Sequence, residues 1–370
     1  MPHAKHVIFI GFDGMGSYAV QRAHTPNINR LIENGAVSLD TRSVRSTVSS
    51  QNWMSMVSGA PSQVHGVHDN SWLFGDRPYE PGKARNSKNL FPAMRDDLRA
   101  ARPDALIYGF IEWGGETWFY DLDTFDKVVC NEEEAGQDYS SEDIMNQALE
   151  AYFEDQPDLL FVSVVITDNL AHHVGHESEE FLDCVNHMDE MVGHFVSELE
   201  KRGLMDDTVL MITADHGGIG LGHGGDTPQE YRVPIIMYGD GVTKGKVMEY
   251  TNMIYDNAAT VCGLLDVEMP RECRGTFLWE AFEPRTGVCY VPIPFVHPYG
   301  GSVPAGEKVR ITCDVDGAEI YYTLDGSEPT VESIKYEGPF ELKGPVVIKA
   351  VGYKNGNYSW VTTNSLYPAD

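Results

Sequence analysis

Positive charge is scarce in this sequence: 27 lysines and arginines stand against 56 aspartates and glutamates in 370 residues, a formal net charge of −29. A protein that coats nucleic acid needs a basic face to displace counterions from phosphates, so that class is excluded. An anionic substrate would need a bound cation to reverse the sign locally. Long apolar runs are also missing. Nothing reaches the roughly 18–20 uncharged apolar residues of a membrane span, and the run Leu159 to Ile166 falls well short. The chain enters a strand-like run directly after Lys5, without the basic, apolar and small-residue segments of a leader. As written it is expected in the cytoplasm, or outside it if a signal peptide has been trimmed. Cysteines are few. Cys130, Cys184, Cys262, Cys273, Cys289 and Cys313 show no CxxC spacing and read as free or buried thiols. The glycines after the first apolar run, Gly11, Gly14 and Gly16, do not spell GxGxxG, and no GxxxxGK[ST] exists, which removes the dinucleotide and P-loop readings there.

What is present is ordinary globular material, 42% hydrophobic, 22% charged and 11% aromatic, in a chain long enough for one large and one small domain. Up to about residue 290, short β-branched runs alternate with longer segments of helical period, the pattern of α/β layering. His6 to Ile10, Ala105 to Ile111, Asp158 to Ile166, Thr208 to Thr213 and Val233 to Tyr238 read as buried strands. Thr25 and Pro26 read as an N-cap and first helical position. Glu177 to Arg202 reads as a helix with Phe181, Cys184, Val185, Met188, Met191, Val192, Phe195 and Leu199 on its core face. Beyond Pro284 the helical period stops. Short runs at Lys308 to Cys313, Glu319 to Leu324 and Val346 to Val351 alternate with turn residues, which predicts a small antiparallel β-sandwich. The expected domains are residues 1–291 and 292–370.

Chemistry gathers where apolar runs end. Asp13 follows the first strand, and in an open α/β sheet that edge faces ligands. Asp168 and His172 follow the strand ending near Ile166, and a four-residue spacing on a helical turn lets both reach one ion. His173 and His176 compete with them. Asp215 and His216 end another strand, and His223 follows among glycines that permit close backbone packing. Three carboxylates and three imidazoles suit zinc, with weaker claims for manganese or iron, and are too many for one tetrahedral ion, so they divide into two sites. A nucleophile is expected between Asp13 and Asp168. The segment Ser46 to Gly66 reads as a loop feeding a helix, whose N-terminal dipole favours an alkoxide and a phosphate, although a serine there also suits an ordinary N-cap. Trp113 and Trp118 either stack a base or belong to the core.

The order Asp13, Ser49, Asp168, His172, Asp215, His216, His223 resembles the alkaline phosphatase superfamily. Val57-Ser-Gly-Ala-Pro-Ser-Gln-Val-His65-Gly66-Val67 is similar to a run of its type I phosphodiesterase/nucleotide pyrophosphatase branch. The resemblance implies an α/β fold with an alkaline-phosphatase-like central, mostly parallel sheet flanked by helices. It implies a two-zinc phosphodiesterase or nucleotide pyrophosphatase working through a phospho-serine on Ser49, with small phosphate esters as substrates. It further implies one zinc on Asp168, His172 and His223, a second on Asp13, Asp215, His216 and the Ser49 oxygen, and Asn52 as the donor to a non-bridging oxygen. A phosphomonoesterase or phosphonate hydrolase would keep the same metal site, and a non-catalytic binding protein is the remaining alternative. From Ser49 the chain reads Ser-Ser-Gln-Asn-Trp, without the proline and arginine of sulfatases, and no arginine occurs between Ser46 and Arg77 to clamp a monoester dianion. The segment Ile320 to Thr330, with Tyr336 to Phe340 and Ile348 to Ala350, resembles the chitobiase/β-hexosaminidase C-terminal module. That resemblance implies an immunoglobulin-like accessory domain and a glycan contact through it.

Overall fold

The computed structural model describes residues 3–70, 98, 102–118, 120, 122, 125–131, 139–267, 273–282, 291, 293–304, 306–313, 315, 317–354, 357–359 and 361–369. The chain forms two compact units divided between Glu283 and Pro284.

The larger unit is built on an eight-stranded sheet. Its strands are β1 (His6–Phe12), β2 (Ala36–Arg42), β3 (Ile107–Ile111), β4 (Lys127–Cys130), β5 (Leu159–Val164), β6 (Thr208–Thr213), β7 (Arg232–Gly239) and β8 (Lys246–Val247). They lie in the order β4-β3-β5-β1-β6-β7-β2-β8. The sheet is mostly parallel, with β7 antiparallel to both β6 and β2. Because side chains alternate across a strand, Val7 and Phe9 enter one core while Ile8, Ile10 and Phe12 enter the other. Helices cover both faces, which is why β1, β5 and β6 are buried along their whole length and mostly apolar. The long helix Glu179–Lys201 buries the whole stripe read from the sequence.

The order β5-β1-β6 positions the site. Gly11 of β1 is in register with Ser163 on one side and with Thr213 on the other. Three parallel strands therefore end side by side, and the residues that follow them, Asp13, Asp168 and Asp215, meet at one sheet edge.

The smaller unit carries β9 (Phe295–His297), β10 (Gly301–Val303), β11 (Arg310–Thr312), β12 (Glu319–Thr323), β13 (Ile334–Lys335), β14 (Val346–Lys354), β15 (Asn357–Tyr358) and β16 (Thr362–Pro368). Six of these form one sheet and β9 with β11 a second, around Val296, Val309, Ile311, Ile320, Ile348 and Leu366. The pairing differs from an all-antiparallel sandwich in one respect, since β10 and β16 run parallel.

Candidate metal centre

Ser49 opens the helix Ser49–Ser58, every residue of which is buried. It is the first helical residue and not the N-cap, a position held by Val48. Its hydroxyl lies 3.1 Å from His216 Nε2. Asp168 sits in the first turn of the helix Ile166–Val174, whose Thr167 hydroxyl donates to the Asp13 carbonyl and ties that helix to the end of β1. Gly14 lets the two segments close: it has φ +72°, and a Cβ there would stand 2.8 Å from Asp168 Oδ1. Thr47 fixes the remaining loop. Its carbonyl accepts from His223 Nδ1 at 2.7 Å, and its hydroxyl bonds both Gly224 and Gly225.

The three imidazoles are held alike. Nδ1 of His216 faces the Gly217 carbonyl at 2.9 Å, that of His223 the Thr47 carbonyl, and that of His172 the Leu221 carbonyl at 2.9 Å. A carbonyl only accepts, so each Nδ1 donates and each Nε2 is the nitrogen left to face the carboxylates. Around those nitrogens stand carboxylates. Asp168 Oδ2 is 3.1 Å from His172 Nε2, and Asp168 Oδ1 is 3.9 Å from His223 Nε2. Asp13 Oδ1 and Asp215 Oδ2 lie 3.4 Å and 3.2 Å from His216 Nε2. The His216 and His223 rings stack at 3.8 Å. Asp13 Oδ1, Asp168 Oδ1 and Asp215 Oδ2 are buried oxygens with no hydrogen-bond partner.

Electrostatics agrees with the geometry. Burial, reinforced by Asp215 and Asp168, pushes the Asp13 carboxyl well above the usual range. Burial does the same to Asp215, with Asp168 adding to it. Burial, and then the neighbouring His223, holds His216 well below the usual imidazole range. Crowded carboxylate oxygens facing the Nε2 atoms of three imidazoles make a donor set that suits one or two divalent cations. Asp168, His172 and His223 bring one ligand atom each within 4.8 Å of one another, and so do Asp13, Asp168 and His216. In that second cluster Asp168 takes the place expected for Asp215, which joins through His216.

Asn52 needs correction. Its Oδ1 accepts from Val44 N at 2.7 Å, and its amide donates to the carbonyls of Ser46 and Val48 at 3.1 and 3.0 Å. With no solvent exposure and its donors committed to the loop 44–48, it holds backbone and has nothing left for a phosphate. A residue beside the site that sequence reasoning missed is Asn70. Its Oδ1 accepts from both the N–H and the hydroxyl of Ser50, at 3.0 and 2.8 Å, which leaves its NH2 the uncommitted end beside the start of the Ser49 helix. Only its distance from Ser49 in the sequence hid it.

The other candidates fall outside the cluster. His173 turns to the Asn169 carbonyl on its own helix, and His176 bonds the Tyr18 hydroxyl at 2.8 Å. His65 bonds Ser55 and the Val67 N–H within the core. Trp113 packs against the core, whereas the side chain of Trp118 and the segment Arg77 to Lys88 lie outside the described residues. Among the described residues no helix is long and apolar enough to cross a membrane.

The family model described as Type I phosphodiesterase / nucleotide pyrophosphatase matches residues 7–223, and that of the Chitobiase/beta-hexosaminidase C-terminal domain matches residues 298–363. GPI ethanolamine phosphate transferase 1 of Neurospora crassa is 28% identical over 162 residues, 43% of this chain and 15% of that protein. Phosphopentomutase of Clostridium tetani is 31% identical over 164 residues, 43% of this chain and 37% of that protein. The chain thus spans well under half the length of the curated relatives it matches. The solved structure of murine ectonucleotide pyrophosphatase / phosphodiesterase 5 shares the fold with a TM-score of 0.63 at 15% identity, over 75% of this chain and 100% of that one.

Proposed function

Because the chain belongs to the type I phosphodiesterase/nucleotide pyrophosphatase family of the alkaline phosphatase superfamily, we propose that it hydrolyses phosphodiesters through a covalent intermediate on Ser49. Asp168, His172 and His223 would hold one divalent cation, and Asp13, Asp215, His216 and the Ser49 oxygen a second. Zinc fits these mixed nitrogen and oxygen donors best, with manganese or iron as alternatives. When bound, such a pair supplies Lewis acidity at the attacking and leaving oxygens. The observation that carries the reading is the Ser49 hydroxyl, 3.1 Å from His216 Nε2 at the start of a buried helix.

The chain's own groups do the rest. The 3.1 Å separation of the Ser49 oxygen from His216 Nε2 would let both reach one cation, with the hydroxyl proton released to solvent. The oxygen attacks phosphorus, the P–O bond to the leaving group breaks, the departing alkoxide takes a proton from water, and Ser49 carries a phosphodiester. Water then cleaves that bond, releasing the phosphomonoester and restoring the hydroxyl. The helix N-terminus and the Asn70 amide face charge developing on the non-bridging oxygens.

Diesters are the expected substrate class. Two divalent cations carry four positive charges, against three carboxylates and a serine alkoxide, so the centre is near neutral and suits a monoanion. Arg45, the cation just before this loop, pairs with Asp226 at 3.6 Å. With saturating zinc, kcat/KM for bis-p-nitrophenyl phosphate is expected to exceed that for p-nitrophenyl phosphate. The reverse order would replace the diesterase reading with a phosphomonoesterase, and activity without bound metal would remove both.

A further inference from the structure

Residues four apart stack along one face of an α-helix, so Trp53 lies one turn beyond Ser49 on the same side. Its indole is fully buried, and Nε1 donates to Asp13 Oδ2 at 3.0 Å. The ring sits over Gly11, where a Cβ would come within 2.4 Å of it, and meets Phe161 edge-on at 6.2 Å. A buried indole N–H needs an acceptor, but a main-chain carbonyl would serve. Here it takes one oxygen of a carboxylate whose other oxygen, Oδ1, faces His216 Nε2 and has no hydrogen-bond partner.

We propose that Trp53 is a positioning residue for the metal centre. Its N–H occupies Asp13 Oδ2 and leaves Oδ1 for the cation, so one helix carries both the nucleophile and the pin that sets a metal ligand. Gly11 is the matching half of the device, because only a residue without a side chain admits the ring above the strand. The inference rests on Asp13 being a cation ligand.

Two variants separate the hydrogen bond from the packing. Trp53→Phe keeps an aromatic ring and removes the donor, whereas Gly11→Ala keeps the indole and displaces it. Zinc affinity is measured by competition with a chelator, and indole N–H resonances are followed by NMR as zinc is added. Both variants are expected to weaken one of two zinc sites by about 10–100-fold, the range for groups that orient a metal ligand. The resonance lost in Trp53→Phe is expected to move in the unaltered protein when zinc binds. Folded variants that keep both zinc affinities within about twofold would overturn the proposal. If neither variant folds, Asp13→Asn supplies the assignment, and the indole resonance it moves must be one that zinc also moves; no shared resonance contradicts the proposal. If Asp13→Asn leaves both zinc affinities unchanged, the underlying metal reading fails instead.

Discussion

Two asparagines near Ser49 show how far single residues can be read. Asn52 sits three residues after Ser49, and the family resemblance implied a donor to substrate there. Its partners are backbone groups of Val44, Ser46 and Val48, whose positions depend on a loop conformation that no spacing reveals. Asn52→Ala is expected to lower stability by about 1–3 kcal/mol, because it strands buried backbone groups. Asn70→Ala strands the Ser50 N–H and hydroxyl and is likewise expected to cost about 1–3 kcal/mol, but of the two it alone is expected to lower kcat/KM of the folded enzyme, by about 10–10³-fold. Urea titrations and kinetics on both variants check this, and the opposite pattern would return the donor role to Asn52. The carboxylates proposed as metal ligands were legible for a simple reason: Asp13, Asp168 and Asp215 each come soon after a strand recognisable by its apolar run, and the ends of parallel strands share one edge. The constraints on the histidines, such as the Thr47 and Leu221 carbonyls that meet Nδ1 of His223 and His172, are long-range and were not.

At the scale of elements the same division holds. The buried strands and the long amphipathic helix could be read because their whole length faces a core. The strands Ala36–Arg42 and Lys127–Cys130 could not, since partial exposure mixes polar residues into them. The start of the helix Pro26–Glu33 is where the sequence places it, but Thr25 does not cap it; its hydroxyl donates to the Val20 carbonyl instead. The buried carboxylate of Asp189, from the helix Glu179–Lys201, accepts from the N–H groups of Asn27 and Ile28 at 3.1 and 2.7 Å. An acidic group at a helix N-terminus satisfies open donors and complements the dipole. Asp189→Ala is expected to cost about 1–3 kcal/mol in urea unfolding, more than Thr25→Ala. A larger loss in Thr25→Ala would show that the local cap dominates.

Across the whole molecule, the acidic balance of −29 and the phosphate chemistry are reconciled only locally, since surface charges beyond about 8–10 Å are screened at ordinary salt. The proposed ligands all lie in the larger unit, before residue 224. The structure divides the chain between Glu283 and Pro284; with the domain boundary proposed from the sequence at 291/292, removal of residues 292–370 is expected to leave zinc content and small-substrate rates within a few-fold. A truncated chain that folds but is inactive would show that the module shapes the active site. A glycan contact by the module, proposed from its resemblance, is separable from catalysis on this account.

The central claim is that Ser49 carries the substrate phosphoryl group through turnover, and mass spectrometry of acid-quenched enzyme tests it directly. After brief mixing with bis-p-nitrophenyl phosphate, the peptide containing Ser49 is expected to carry a p-nitrophenylphosphoryl group. Ser49→Ala should show no adduct and lose at least about 10³-fold in kcat/KM. An adduct on Ser50, or turnover in Ser49→Ala within about tenfold of the unaltered protein, would contradict the account.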